Sequence, residues 1–139
     1  MPEPVVSHID LVVSDLERSL AFYKGLLEPI GFTVEREITG ERGEEVHYLR
    51  GDVIRGAIGL RQAQTPTEGV YDRYAVGLHH LAFEVESREV VEERAAWLRA
   101  QGAEIESGPA EYDYTPGYYA VFFHDPDGMK LEVLHRPAA

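Results

Sequence analysis

The amino-acid sequence predicts an α+β fold built from two tandem βαβββ modules. Three observations carry that expectation. A seven-residue strand pattern occurs twice, as Ser7 to Val13 and His79 to Val85; His8 falls on His80, Ile9 on Leu81, Leu11 on Phe83 and Val13 on Val85, at an offset of 80 − 8 = 72. Each copy leads into an amphipathic helical stretch closed by a glycine, Gly31 and Gly102, 102 − 31 = 71 residues apart. Three further strand-like segments follow in each copy. Recurrence of a whole order of elements at a near-constant offset marks a duplicated supersecondary unit.

The elements follow in order. Both opening segments alternate apolar with other residues, as a half-buried strand does. Ser14 and Glu17 form an S-x-x-E capping box, and Leu16, Leu20, Tyr23 and Leu27 make a stripe at helical spacing. In the second copy Ser87 is the expected N-cap, with Val91, Ala95 and Leu98 as the stripe. Gly31 and Gly102 suit left-handed residues just past the helix ends. Strands are expected at Phe32 to Ile38, Glu45 to Arg50 and Gly56 to Gln62, then at Glu104 to Ser107, Tyr118 to His124 and Met129 to His135. Asp125-Pro126-Asp127-Gly128 is a turn signal.

A length of 139 residues suits a single domain, 1–139, with module one at about 5–62 and module two at about 77–136. The linker, Ala63 to Val76, carries Pro66 and Gly69. Neither half is expected to be stable alone, since one sheet with one helix leaves a face open.

Composition narrows the chemistry. A hydrophobic share of 44% suits a globular chain, and no apolar run approaches the ~18 residues of a membrane span. The opening MPEPVVSHID has neither a basic nor an apolar leader region, so a cytoplasmic setting is expected. Cysteine is absent, which excludes disulfides, thiolate metal sites and Cys nucleophiles. Any metal must then rest on His and carboxylate. The net charge of −12 repels phosphate backbones and anionic lipid, so neither nucleic acid nor membrane is an expected partner.

Strand alternation separates the candidate site residues from the core. With Ile9, Leu11 and Val13 turned to the core, His8 and Asp10 project from the other face. In the second copy Leu81, Phe83 and Val85 take the core face together with His79, and His80 takes the opposite face. Leu131 and Val133 leave Glu132 on that opposite face too. Its counterpart in module one is Gly59, at 132 − 59 = 73. The repeat thus offers four equivalent positions, His8, Gly59, His80 and Glu132, of which three carry metal-ligand side chains. Two His and one carboxylate with open positions opposite is the facial arrangement of non-haem Fe(II). The same ligands suit Mn²⁺, Zn²⁺, Ni²⁺ or Co²⁺, and the ion's identity is left open. A Gly59→Glu change is expected to add a ligand, unless the glycine marks a close approach.

At these residues the chain resembles the vicinal oxygen chelate superfamily of glyoxalase I, bleomycin resistance proteins, fosfomycin resistance enzymes and extradiol dioxygenases. The resemblance rests on His8-Ile9-Asp10-Leu11-Val12-Val13, Ser19-Leu20-Ala21-Phe22-Tyr23, His80-Leu81-Ala82-Phe83-Glu84-Val85 and the closing Asp125-Pro126-Asp127-Gly128-Met129-Lys130-Leu131-Glu132. It implies a curved mixed sheet around a metal-binding cleft, with one divalent ion on His8, His80 and Glu132. It implies a homodimer and a small-molecule substrate that chelates the ion through adjacent oxygens, in lyase, isomerase or dioxygenase chemistry. Glyoxalase I takes a fourth ligand where this chain has Gly59, so its activity is not the one expected. The run Glu111 to Tyr119 offers Tyr114 and Tyr118 as hydroxyl donors at the site, or else forms a Tyr-rich surface turn. His47 and His124 are weaker candidates. The alternative function is metal-free sequestration of a small molecule or antibiotic, as in the bleomycin resistance proteins.

Overall fold

The computed structural model describes residues 3–53, 55–66 and 68–138. Contacts divide the chain into two compact units, residues 1–68 and 69–139. Unit one runs β1 (His8–Val13), α1 (Leu16–Leu27), a 3₁₀ turn at Glu28–Ile30, β2 (Val34–Thr39), β3 (Glu45–Arg50) and β4 (Ala57–Gln62). Unit two runs β5 (Leu81–Glu84), α2 (Arg88–Ala100), β6 (Ile105–Tyr112), β7 (Tyr118–His124) and β8 (Lys130–His135). Each is the βαβββ module that the repeat predicts. The strand orders are β1-β4-β3-β2 and β5-β8-β7-β6. In both, the first and last strands pair in parallel and the other pairs are antiparallel.

The registers give the repeat a structural measure. Asp10 pairs with Gly59 in unit one, and Ala82 pairs with Glu132 in unit two. The offsets are 82 − 10 = 72 and 132 − 59 = 73, those read from the sequence. Gly59 and Glu132 are therefore equivalent positions on equivalent strands.

In unit one, Tyr23, Leu26 and Leu27 of α1 are buried, as are Leu11, Val13, Leu49, Ile58 and Leu60 of the sheet. In unit two, Val91, Ala95 and Leu98 of α2 are buried with Phe83, Val121, Phe123, Leu131 and Val133. Tyr119 Oη donates to Glu92 of α2, which fixes the helix-facing side of β7. Tyr118, Ala120 and Phe122 alternate to the other side.

Several boundaries depart from the sequence reading. The N-cap of α1 is Asp15, not Ser14: Asp15 accepts from Arg18 N at 3.1 Å, while the Ser14 hydroxyl accepts from the Arg18 guanidinium at 3.0 Å. Gln62 sets that shift by accepting from Leu16 N at 2.8 Å and donating to the Ser14 carbonyl at 2.6 Å. Ser87 caps α2 as expected, accepting from Val90 N. Gly31 and Gly102 take φ of 116° and 72°, the left-handed region. β6 runs to Tyr112, well beyond Ser107, because it absorbs Gly108-Pro109 in a stretch of register shifts against β7. Proline lacks a ladder donor, and an irregular edge strand is where a sheet tolerates it. β5 begins at Leu81, so the alternation assumed for His79 does not extend to it, and His79 is exposed, not turned to the core.

Candidate functional site

Glu132 sits on β8 between Ala82 of β5 and Phe122 of β7. Around it, on the side away from α2, lie Ala120, Phe122 and Leu134, with Tyr112 and Tyr118 packed against them. Its side chain is only 3% exposed. A carboxylate in such apolar surroundings costs several kcal/mol unless it is paired and hydrogen-bonded. Oε2 accepts the Tyr118 hydroxyl, and Oε1 lies 3.4 Å from His80 Nε2. Burial, with the adjacent Glu132 carboxylate, pushes the Tyr118 hydroxyl well above its ordinary range. Tyr118 is thus a hydrogen-bond donor that fixes one carboxylate oxygen and leaves the other to His80. Tyr114 is 65% exposed, edge-on to Tyr118 at 5.1 Å and stacked on Tyr112 at 5.7 Å.

His80 lies one residue before β5, and its Nδ1 is 2.8 Å from His79 Nδ1. That contact, with the Tyr74 ring 5.2 Å from His79, holds the imidazole so that Nε2 points at Glu132. Ligand atoms about 2.1 Å from a first-row ion lie about 3.0 Å apart at right angles and about 3.4 Å apart at the tetrahedral angle. The His80–Glu132 spacing fits a divalent ion, and the donor set of imidazole and buried carboxylate suits one.

His8 belongs to unit one. Its Nδ1 is 3.0 Å from Ser7 Oγ, and its ring meets the Tyr48 edge at 5.7 Å. Beside it is a network that sequence reasoning missed. Tyr48 Oη donates to Asp10 Oδ2 at 3.0 Å, and Arg61 donates to the same oxygen at 3.1 Å and to Glu44 at 3.2 Å. Burial and the Asp10 carboxylate raise the Tyr48 pKa, so its hydroxyl stays protonated. Alternation on β1 had put Asp10 on this face, but its partners on β3 and β4 are visible only through the register. The space over Gly59 is also decided here. A Cβ added at Gly59 would lie 2.1 Å from Asp10 Oδ1 and 2.5 Å from Tyr48 Cε1. The glycine therefore does not mark an open ligand position. It makes room for Asp10 and the Tyr48 ring, and a Gly59→Glu side chain has no clear path there.

Two further clusters were not legible in the sequence. Glu106 accepts from Arg73 at 2.6 Å, Lys130 at 2.9 Å and His124 at 3.0 Å. Burial works to raise its pKa, but these donors outweigh it and hold the carboxyl at about 2. His124 is thereby a structural partner of Glu106. In unit one, Glu37, Glu45 and His47 bring one potential ligand atom each within 4.8 Å of one another. Among the described residues this is where three such groups converge. His47 is buried, with Nδ1 2.8 Å from Glu35 and Nε2 3.4 Å from Glu45, so both ring nitrogens face carboxylates.

The family model of the Glyoxalase/Bleomycin resistance protein/Dioxygenase superfamily matches residues 5–133. The chain belongs to that superfamily. The Bacillus subtilis protein YqjT is 33% identical over 134 residues, covering 91% of this chain and 95% of its own. A glyoxylase/bleomycin resistance protein/dioxygenase domain from Frankia sp. EAN1pec superposes with a TM-score of 0.77 at 24% identity, covering 99% of this chain and 96% of that one. The fosfomycin resistance protein FosX from Listeria monocytogenes does so with a TM-score of 0.65 at 23% identity, covering 99% and 96%. The last two likenesses establish the shared fold. Among the described residues no helix is long and apolar enough to cross a membrane.

Proposed function

We propose that this superfamily member is a metal-dependent enzyme of the glyoxalase/dioxygenase type. Its substrate is a small molecule that chelates the ion through adjacent oxygens. One observation carries the reading: a nearly buried carboxylate, Glu132, presents one oxygen 3.4 Å from His80 Nε2 while Tyr118 holds the other. His80 and Glu132 would hold the ion from unit two. His8 is the ligand assigned to unit one, because it is the counterpart of His80 in a repeat whose registers agree. A bound divalent ion supplies Lewis-acid stabilisation of negative charge on substrate oxygen. The chain's own residues prepare for that chemistry. Tyr118 orients Glu132, His79 orients His80, and the apolar surround of Ala120, Phe122 and Leu134 keeps water from competing for the carboxylate. Tyr114, exposed and in contact with Tyr118, would meet a substrate bound there.

The test is metal content. Protein purified without chelator and offered Fe²⁺, Mn²⁺, Zn²⁺, Ni²⁺ and Co²⁺ in turn should retain one ion per chain. His80→Ala, Glu132→Gln and His8→Ala should each lose it, and His79→Ala should keep most of it. A wild-type chain that takes up none of the five favours sequestration without metal. A His8→Ala variant with full metal content removes His8 from the ligand set.

A further inference from the structure

A cavity of about 460 Å³ lies on the His8 side of unit one, lined by His8, Arg36, Ile38, Tyr48, Arg50 and Ala57 among others. The registers explain why these residues share it. His8 pairs with Ala57 and Arg36 with Tyr48, and Arg50 stands two residues beyond Tyr48 on the same face of β3. Among the described residues the walls carry two guanidinium groups and no carboxylate. That is unexpected in a chain with 25 acidic residues against 13 basic ones. Elsewhere several arginines meet acids: Arg61 pairs with Asp10, Arg73 with Glu106, Arg88 with Glu111 and Arg136 with Glu84. Among the described residues no carboxylate pairs with Arg36 or Arg50. Arg50 donates through Nη1 alone, to the carbonyls of Gly51 at 2.8 Å and Asp52 at 3.4 Å. Those bonds brace the group and leave its other nitrogens to a ligand. Asp10, the nearby acid on this face, is already held by Tyr48 and Arg61.

We propose that this cavity is the subsite for the anionic end of the substrate, a carboxylate or phosphonate bound by Arg36 and Arg50, with the attached small body seated against Tyr48, Ile38 and Ala57 beside His8. Two arginine forks match the planar or tetrahedral oxygens of such groups and bind them through charge-assisted hydrogen bonds. The volume suits a small organic acid. The assignment rests on the functional reading only in taking the His8 face as the substrate's side.

The experiment is an NMR shift titration of the full-length, ¹⁵N-labelled chain at low salt. The probes are benzoate, phenylphosphonate and benzamide, the last a neutral isostere of benzoate. Zn²⁺ uptake is measured on the same samples. Both anions, or one of them, should bind at least tenfold more tightly than benzamide, and the tighter one names the head group. Arg36→Gln and Arg50→Gln should each weaken the anion roughly tenfold or more, as loss of a charged hydrogen bond does, with benzamide binding and Zn²⁺ uptake unchanged. Benzamide binding as tightly as the anions, no anion binding, or anion binding indifferent to both substitutions would each overturn the proposal. Arginine-dependent anion binding in a wild-type chain that takes up neither Zn²⁺ nor any of the other four ions would sustain this subsite and sink the metal reading instead.

Discussion

Gly59→Ala should destabilise the protein although it replaces a strand glycine by a residue with a side chain. In isolation the change gains roughly 0.5–1 kcal/mol, because alanine has less backbone freedom to lose on folding. Gly59 does not have the positive φ that would make alanine strained. The cost comes from space. The new Cβ meets Asp10 Oδ1 at 2.1 Å and the Tyr48 ring at 2.5 and 3.0 Å, all below contact distance. Asp10 and Tyr48 must both move, which breaks the 3.0 Å hydrogen bond between them and disturbs the 3.1 Å Arg61 contact. The hydrogen bond is worth about 1 kcal/mol and the part-exposed ion pair about 0.5 kcal/mol. Overpacking adds about 1–3 kcal/mol. Less the backbone gain, the net loss is about 1.5–4 kcal/mol. For a chain of this size that lowers Tm by roughly 5–14 °C. The assay is thermal and urea unfolding of Gly59→Ala, alone and in a Tyr48→Ala background. Without the ring much of the clash is gone, so the second cost should be at least 1 kcal/mol smaller than the first. Equal costs in both backgrounds, or a Gly59→Ala protein as stable as wild type, would refute the crowding argument.

Further expectations are independent of that one. Glu106→Gln should lose about 2 kcal/mol at neutral pH. Because the native carboxyl is held at about 2, below its ordinary 4.5, the wild-type advantage should be complete above pH 4.5 and vanish as pH falls towards 2; urea midpoints across that range check it, and a constant gap would count against the Arg73–Lys130–His124 cradle. Tyr118 carries the opposite sign: its native pKa is raised, so its contribution should be full below pH 10 and decline above it. The stability gap between wild type and Tyr118→Phe should therefore be flat from pH 6 to 9 and narrow at higher pH, and a gap that widens there would contradict the Glu132 contact. Light scattering should give twice the 15.6 kDa chain mass; a monomer across micromolar concentrations would exclude the expected homodimer.

Much of the fold was legible in the sequence because its cues are local. Alternation in Ser7–Val13, the turn at Asp125–Gly128, the cap at Ser87 and the two left-handed glycines depend on a residue and its near neighbours, and the structure reproduces each. The turn shows why: Asp125 Oδ1 accepts from Asp127 N and Met129 N, both at 2.9 Å, so the residues that signal it also build it. Local cues misled where a distant residue intervened. Gln62, 46 residues along the chain from Leu16, moved the α1 cap from Ser14 to Asp15. Pairing with β7 drew Gly108-Pro109 into a strand where the dipeptide alone reads as a break.

The candidate site divides along the same line. Glu132 was readable from alternation along β8, and His80 from its place in the repeat just ahead of β5; the structure sets them 3.4 Å apart. Their setting was not readable. That Glu132 is buried and braced by Tyr118, that Asp10 is neutralised by Arg61, and that Arg36 and Arg50 share a cavity with His8 all depend on which strands pair and in what register. Gly59 states the difference most directly. Its type and its equivalence to Glu132 are written in the sequence, but a missing side chain reads equally as a free coordination position or as room for a neighbour. Only the register of β4 with β1 and β3, which sets Asp10 on one side of it and Tyr48 on the other, decides for the neighbour. A register is a long-range property: it follows from packing a whole hydrophobic face at once, and no window of adjacent residues contains it.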